Sequence, residues 1–234
     1  MKLLISLVTF CAASLAAAGE PVDLLALTSW KHADGWMSAA AAEASATAKE
    51  WIRVEPGTGI LCNGEAGKAR DLASVFEHGD VEAEIEFLIP KGSNSGVYFQ
   101  NRYEIQILDS FGKPDAALSH ADNGGIYQRW DESRDPKGYE GTKPLANASR
   151  APGEWQTLHV IFRAPRFAAD GSKTEDARFE LVELNGTVIH RDVAVSGPTR
   201  GGLGTEVPKG PVRLQGDHGP VAFRKLLFRP LAAE

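Results

Sequence analysis

The chain runs to 234 residues, room for one large domain or two small ones. A formal charge of −6 and a pI near 5.6 exclude the basic stripe of a nucleic-acid-binding protein. With 2 cysteines and an ordinary hydrophobic fraction of 43%, a packed core rather than a disulfide framework has to hold the fold.

Met1 and Lys2 form a short positive start, Leu3 to Cys11 is apolar, and Ala16-Ala17-Ala18 precedes Gly19. That order is the pattern of a secretory signal peptide, with cleavage expected after Ala18 and the mature protein periplasmic or secreted. Cleavage leaves Cys62 alone, which excludes an intramolecular disulfide. No later apolar run approaches the length of a membrane span. Residues 19–234 read as a single domain, with no internal repeat and no linker. Asn147-Ala148-Ser149 and Asn185-Gly186-Thr187 are formal glycosylation sequons.

The alanine-rich stretch Ser38 to Lys49 favours a short helix by propensity. It lacks a wide stripe of large apolar residues, so a surface helix and an ordered loop both fit it. From Trp51 onward the signal is strand after strand. Trp51 to Glu55 and Ile60 to Asn63 flank the turn cluster Pro56-Gly57-Thr58-Gly59, and Asp71 to Phe76 follows. In Val81 to Ile89, apolar residues alternate with Glu82, Glu84 and Glu86, the period of a half-buried antiparallel strand with a solvated charged face. Later strands are expected at Trp155 to Arg163, Ala177 to Leu184, Thr187 to Val195, Val212 to Gln215 and Val221 to Phe228. Asn185-Gly186 makes a hairpin of the second and third. Ahead of these later strands, Asp109 to Pro152 is polar and rich in Gly, Asp and Pro, with only Gly125 to Trp130 strand-like. Many short strands with almost no helical period predict an all-β sandwich. Trp30, Trp36, Trp51 and Trp155 read as core.

Two stretches carry candidate chemistry. In Asn94 to Asp109, two strands meet at a tight turn whose length decides which side chains share a face. A three-residue turn at Asn101 to Tyr103 sets Gln100 opposite Glu104 and Tyr98 opposite Gln106, with Val97, Phe99, Ile105 and Ile107 on the other face. A two-residue turn mixes polar with apolar. The first register therefore predicts a Tyr98, Gln100, Glu104 and Gln106 patch, an aromatic ring beside amides and a carboxylate, which suits a sugar. Glu104-x-Gln106-x-x-Asp109 is similar to the Glu-x-Asp-x-x-Glu strand of laminarinase-type glycosidases. With Gln in the middle it supplies no standard carboxylate pair.

In Leu214 to Val221, Gly216, Gly219 and Pro220 make a turn that presents Asp217 and His218 together. That pair suits a general base or a metal ligand, and equally a turn chosen for its backbone. His120 with Asp122 and Asn123 is a further polar group, and Arg129 with Trp130 is a candidate cleft wall. His32, His78, His159 and His190 read as surface or strand residues. Phosphate loops, zinc spacings and Gly-x-Ser-x-Gly are not found.

Asn94-Ser-Gly-Val-Tyr-Phe-Gln100, Arg102-Tyr-Glu-Ile-Gln-Ile-Leu-Asp109 and Gly216-Asp-His-Gly-Pro-Val221 resemble the 3-keto-disaccharide hydrolase domain family. Pro152-Gly-Glu-Trp-Gln156, Ala164-Pro-Arg-Phe167 and Gly197-Pro-Thr199 fit the same family, and the likeness runs from about Trp51 to Pro230. The Ala-rich segment departs from it. The resemblance implies a concanavalin A-like jelly-roll β-sandwich with a minor N-terminal helical or loop segment. It also implies an exported enzyme acting on glycosides with a ketone at carbon 3. Such a ketone acidifies the hydrogen at carbon 2, so a base, an oxyanion stabiliser and an acid suffice for β-elimination and rehydration, a net hydrolysis. On this reading His218 or Glu104 is the base and Asp217 orients the histidine. Tyr98, Gln100 and Gln106 hold hydroxyls, Asn94 and Asp109 shape the site, and Arg129 lines it. A divalent metal ion on Glu104 and His218 is an open alternative for stabilising the enolate. The competing reading is a lectin-like carbohydrate-binding module, which has no use for a base.

Overall fold

The computed structural model describes residues 19–232, and the expected signal segment lies outside them. Its first strands are β1 (Val22–Asp23), β2 (Met37–Ala44), β3 (Ile52–Cys62), β4 (Leu72–His78), β5 (Val81–Leu88), β6 (Asn94–Phe99) and β7 (Tyr103–Leu108). The short pair β8 (Arg129–Trp130) and β9 (Gly138–Tyr139) follows, then β10 (Gln156–Arg163), β11 (Arg166–Phe167) and β12 (Lys173–Glu175). The chain ends with β13 (Ala177–Leu184), β14 (Thr187–Val195), β15 (Gly210–Leu214) and β16 (Ala222–Pro230).

The larger sheet has the order β14-β13-β10-β5-β16-β3-β2, with β1 also on β16, and the smaller has the order β4-β15-β6-β7. All pairings between these strands are antiparallel. The inward residues of both sheets, among them Ile85, Phe87, Phe99, Tyr103, Phe162 and Phe223, form one continuous core. This is the jelly-roll β-sandwich, built because period-two strands have one apolar face to cover.

The alternation in β5 is realised as expected. Val81, Ala83, Ile85 and Phe87 are buried, and the glutamates face out. There Glu82 meets Arg229 at 2.7 Å and His159 at 3.0 Å, Glu84 meets Lys225, and Glu86 meets Arg224 at 2.5 Å. The Asn185-Gly186 hairpin also forms, with Asn185 at φ 52° and Gly186 at φ 78°.

Several expectations are corrected. Met37–Ala44 is a strand, because it closes the edge of the larger sheet on β3 and needs only Ala39 fully buried; long-range pairing overrides a weak helix propensity. The Pro56 to Gly59 cluster is an irregularity inside β3 rather than a turn between two strands: Ala39 lies opposite both Pro56 and Ile60. Trp30 and Trp36 are core residues, but Trp51 is exposed, and Trp155 is half-buried with the Arg224 guanidinium 4.4 Å from its ring. His78 and His190 are strand residues whose rings are buried. The sequon residues Asn147 and Asn185 donate their side-chain amides to the internal carbonyls of Lys113 and Ala148, at 2.8 Å each.

Candidate functional site

The β6–β7 hairpin turns one polar face away from the core, and its register differs from the expected one. Phe99 opposes Tyr103, Tyr98 opposes Glu104 and Gly96 opposes Gln106. The turn is Gln100 to Arg102, with φ 51° at Gln100 and 62° at Asn101. Tyr103 decides this. Its ring is fully buried beside Phe162 at 5.4 Å and its hydroxyl donates to Glu206 at 2.7 Å, so it belongs to a strand and cannot sit in the turn. The shift is by an even number, so Tyr98, Glu104 and Gln106 keep a common face. Gln100 leaves it: its amide donates to the carbonyls of His78 and Pro208, both at 3.1 Å, away from the patch.

That face is the floor of a pocket of about 330 Å³, with Asn94, Tyr98, Glu104 and Gln106 along it. Gln215 and His218 form one wall, and Tyr127, Arg200 and Gly201 the other. Both walls are pinned to the sheet. The Glu104 N–H donates to Thr199 Oγ1 at 3.1 Å, and its carbonyl accepts the Tyr127 N–H at 3.0 Å. One residue's backbone thus holds both loops of that wall. Opposite, buried Asn63 clamps the turn that carries His218. Its amide donates to Gly216 O at 2.9 Å and Gly219 O at 2.8 Å, and its Oδ1 accepts the Val221 N–H at 2.7 Å.

Glu104 is only 2% exposed. Burial raises its carboxyl to about 8, against the hydrogen bond from Tyr98 and the charge of Arg213, which pull it down. Burial likewise raises the Tyr98 hydroxyl, with the Glu104 charge adding to it. The Arg213 guanidinium stacks on the Tyr98 ring at 3.7 Å and donates to Gly201 O at 2.8 Å, so the ring that touches Glu104 is held from behind. At the rim, His218 Nδ1 is hydrogen-bonded to Asp217 Oδ1, so Nε2 is the ring nitrogen left to meet a ligand. Their side chains are 50% and 57% exposed.

Of the residues expected at a site, the structure brings Tyr98, Glu104, Gln106, Asn94 and His218 to one pocket, with Asp217 behind His218. It does not bring Gln100, Asp109 or Arg129 to that lining. Asp109 accepts from Lys91 Nζ at 2.8 Å and the Gly92 N–H at 2.9 Å. Arg129 donates to Glu140 at 3.3 Å and to Ser196. His120 packs edge-on against Tyr127, 5.3 Å between ring centres. Tyr127, Arg200, Gly201 and Gln215 went unnoticed in the sequence. Tyr127, inside the strand-like Gly125 to Trp130, and Gln215, at the end of the expected strand Val212 to Gln215, carried a local signal.

A family model described as the 3-keto-alpha-glucoside-1,2-lyase-like domain matches residues 26–229. The chain belongs to this family. Among solved structures, a Parabacteroides distasonis ATCC 8503 protein provisionally described as a glycosyl hydrolase is 26% identical, with a TM-score of 0.60 over 99% of this chain and 100% of its own. A second so described from the same organism is 21% identical, with a TM-score of 0.49 over 75% of this chain and 88% of its own. The alginate lyase Aly36B is 13% identical, with a TM-score of 0.43 over 94% of this chain and 100% of its own. No curated protein sequence matches.

The donors for a metal ion are few. Among the described residues no group of three or more His, Cys, Asp or Glu side chains is placed to hold one. Glu104 and His218 share a pocket, but Glu104 is buried against Tyr98 and favours its protonated form, which is a poor ligand. The residues present do not assemble a metal centre, and no step below runs through one.

Proposed function

We propose that this family member is an exported enzyme that cleaves glycosides carrying a ketone at carbon 3, by elimination followed by addition of water. The observation that carries this reading is the single buried carboxyl of the pocket. An ordinary glycosidase sets two carboxyl groups across the scissile bond. Here Glu104 is the one carboxyl side chain in the lining, held protonated by burial, and it shares the pocket with an Asp-supported histidine. One acid and one base of different kinds suit a reaction in which the carbon-2 hydrogen has been acidified by a neighbouring ketone.

His218 Nε2 removes the carbon-2 proton, and Asp217 steadies the imidazolium that forms. The electron pair moves onto the carbon-3 oxygen. It then returns to re-form the ketone as the carbon-1 to oxygen bond breaks and a double bond forms between carbons 1 and 2. Glu104 gives its proton to the departing oxygen. Water adds across the double bond, hydroxyl at carbon 1 and hydrogen at carbon 2, completing a net hydrolysis. Tyr98, Gln106 and Asn94 hold the ring hydroxyls. A pocket of about 330 Å³ lies in the range of small-molecule sites.

The test is sugar release from a 3-keto-glucoside and from its unoxidised parent, each with and without chelator. Cleavage of the keto form alone, unaffected by chelator, is the expected result. Binding of the plain sugar with cleavage of neither would make the protein a lectin-like module.

A further inference from the structure

We propose that Arg200 is a further catalytic residue of this pocket: its guanidinium, held over the Trp130 ring, takes up the negative charge that collects on the carbon-3 oxygen when the carbon-2 proton leaves. The inference rests on the elimination reading above and supplies the oxyanion stabiliser that reading lacks.

Charge singles it out: the amide and hydroxyl groups of the lining, on Asn94, Tyr98, Gln106, Tyr127 and Gln215, offer an enolate only a dipole. Gln106 gives one amide N–H to Asn94 Oδ1 at 2.8 Å and keeps the other for a ring hydroxyl. The Tyr98 hydroxyl donates to Glu104 and keeps its oxygen as an acceptor for a ring hydroxyl. Arg213 lies behind the Tyr98 ring, with Nη2 on Gly201 O at 2.8 Å. Arg200 is the one permanent cation in the pocket lining. Its acidic neighbour is Glu132, whose two oxygens are taken by Lys137 and Trp130, and whose carboxyl is lowered by those bonds and then by the Arg200 charge.

It is nevertheless placed. Its N–H donates to Gln128 O at 2.7 Å, and its guanidinium lies 4.1 Å from the centre of the Trp130 ring. Trp130 is itself fixed, donating Nε1–H to Glu132 Oε1 at 2.8 Å, while the other oxygen of Glu132 is occupied by Lys137 at 2.7 Å. The neighbouring Gly201 has φ 83°, and a Cβ there would lie 3.2 Å from the Tyr98 hydroxyl. The glycine thus lets this loop close on the floor of the pocket. Arg200 is itself exposed, at the rim of a pocket whose floor is buried, and a cation oriented there before the reaction is what a transient enolate needs. It lowers the barrier without reorganising at the moment the charge appears.

The test compares Arg200→Met and Arg200→Lys with the wild type on a 3-keto-glucoside. It follows kcat, exchange of the carbon-2 hydrogen in deuterium oxide, the melting temperature and affinity for the unoxidised parent glucoside. Loss of the cation is expected to lower kcat and the exchange rate together, on the order of 10²–10³-fold, the range for removing one such donor. The lysine variant should recover part of it, and the melting temperature and affinity for the parent sugar should not change. Unchanged kcat in Arg200→Met, or a parallel loss of affinity for the parent sugar, would overturn the assignment. A wild type inactive on the keto sugar would remove the elimination reading and this inference with it. An active wild type with a fully active Arg200→Met would remove Arg200 alone.

Discussion

The Glu104 carboxylate occupies the space that a side chain at Gly96 would need. A Cβ on Gly96 would lie 2.2 Å from Glu104 Oε1 and 3.1 Å from its Cδ. The absence of a side chain on β6 is therefore what lets a carboxyl group lie flat on the floor of the pocket. Gly96→Ala should swing the carboxyl away from Tyr98, with a stability cost of about 1–3 kcal/mol, as for other overpacked sites. Its kcat on a 3-keto-glucoside should fall with little change in KM. A folded variant with wild-type kcat would show that the position of Glu104 is unimportant.

Glu104 also sets a pH dependence. Its folded value near 8 lies above the ordinary 4.5, so the folded state holds this proton more tightly than the unfolded one. The resulting stability is fully present below 4.5 and is lost as pH rises toward 8. Activity that needs the protonated acid should fall along an alkaline limb near pH 8. Tyr98→Phe removes a hydrogen bond that favours the carboxylate, and should move that limb upward. A pH profile of kcat unmoved by Tyr98→Phe would detach the limb from Glu104.

His218 is half-exposed and its turn is held through backbone atoms by Asn63, so His218→Ala should fold normally. Loss of a general base predicts a fall in kcat on the order of 10²–10⁴-fold. Asp217→Asn should lower kcat less, because it spares the base and weakens its orientation. Normal turnover by His218→Ala, with an unaltered circular dichroism spectrum, would return the pair to the role of a turn.

Two other histidines pull stability in opposite directions. His78 is buried and held near 4: burial lowers it, against its hydrogen bond to the Gly79 carbonyl. Its contribution is present above the ordinary 6.5 and lost as pH falls from there toward 4. For His159, burial is outweighed by Glu82 at 3.0 Å and Glu183 at 3.1 Å, and it is raised. Its contribution is present below 6.5 and lost as pH rises through its folded value. Titration of the ring signals by NMR should find His78 neutral well below pH 6 while His159 charges above its ordinary value. His159→Gln should lower the melting temperature on the acid side, where the contribution is present, and flatten its fall as pH rises above 6.5.

Asp80 ties the end of the larger sheet together. Its carboxylate accepts both Arg166 nitrogens at 2.7 Å and the Ala164 N–H at 2.9 Å, at 2% exposure. Asp80→Ala takes the carboxylate from the half-buried Arg166 guanidinium and the acceptor from the Ala164 N–H, and should cost about 1–3 kcal/mol, measured by denaturant unfolding, with kcat of the remaining folded protein unchanged.

The sequence by itself determined what depends on neighbours along the chain. Alternation in Val81 to Ile89, the Asn185-Gly186 turn and the period of the later strands identified the sandwich, because a strand's two faces are written two residues apart. The same local rule put Tyr98, Glu104 and Gln106 on one face. A register error of two residues preserved it, because side-chain direction repeats every two. What only the tertiary structure decided depends on partners far off in the chain. The turn closes at Gln100 because Tyr103 is needed in the core beside Phe162. An alanine run becomes a strand because β3 has an edge to cover. Arg200 and Tyr127 reach the pocket because the backbones of Gln128 and Glu104 receive their loops. The protonated state of Glu104 follows from burial, which no spacing of residues encodes.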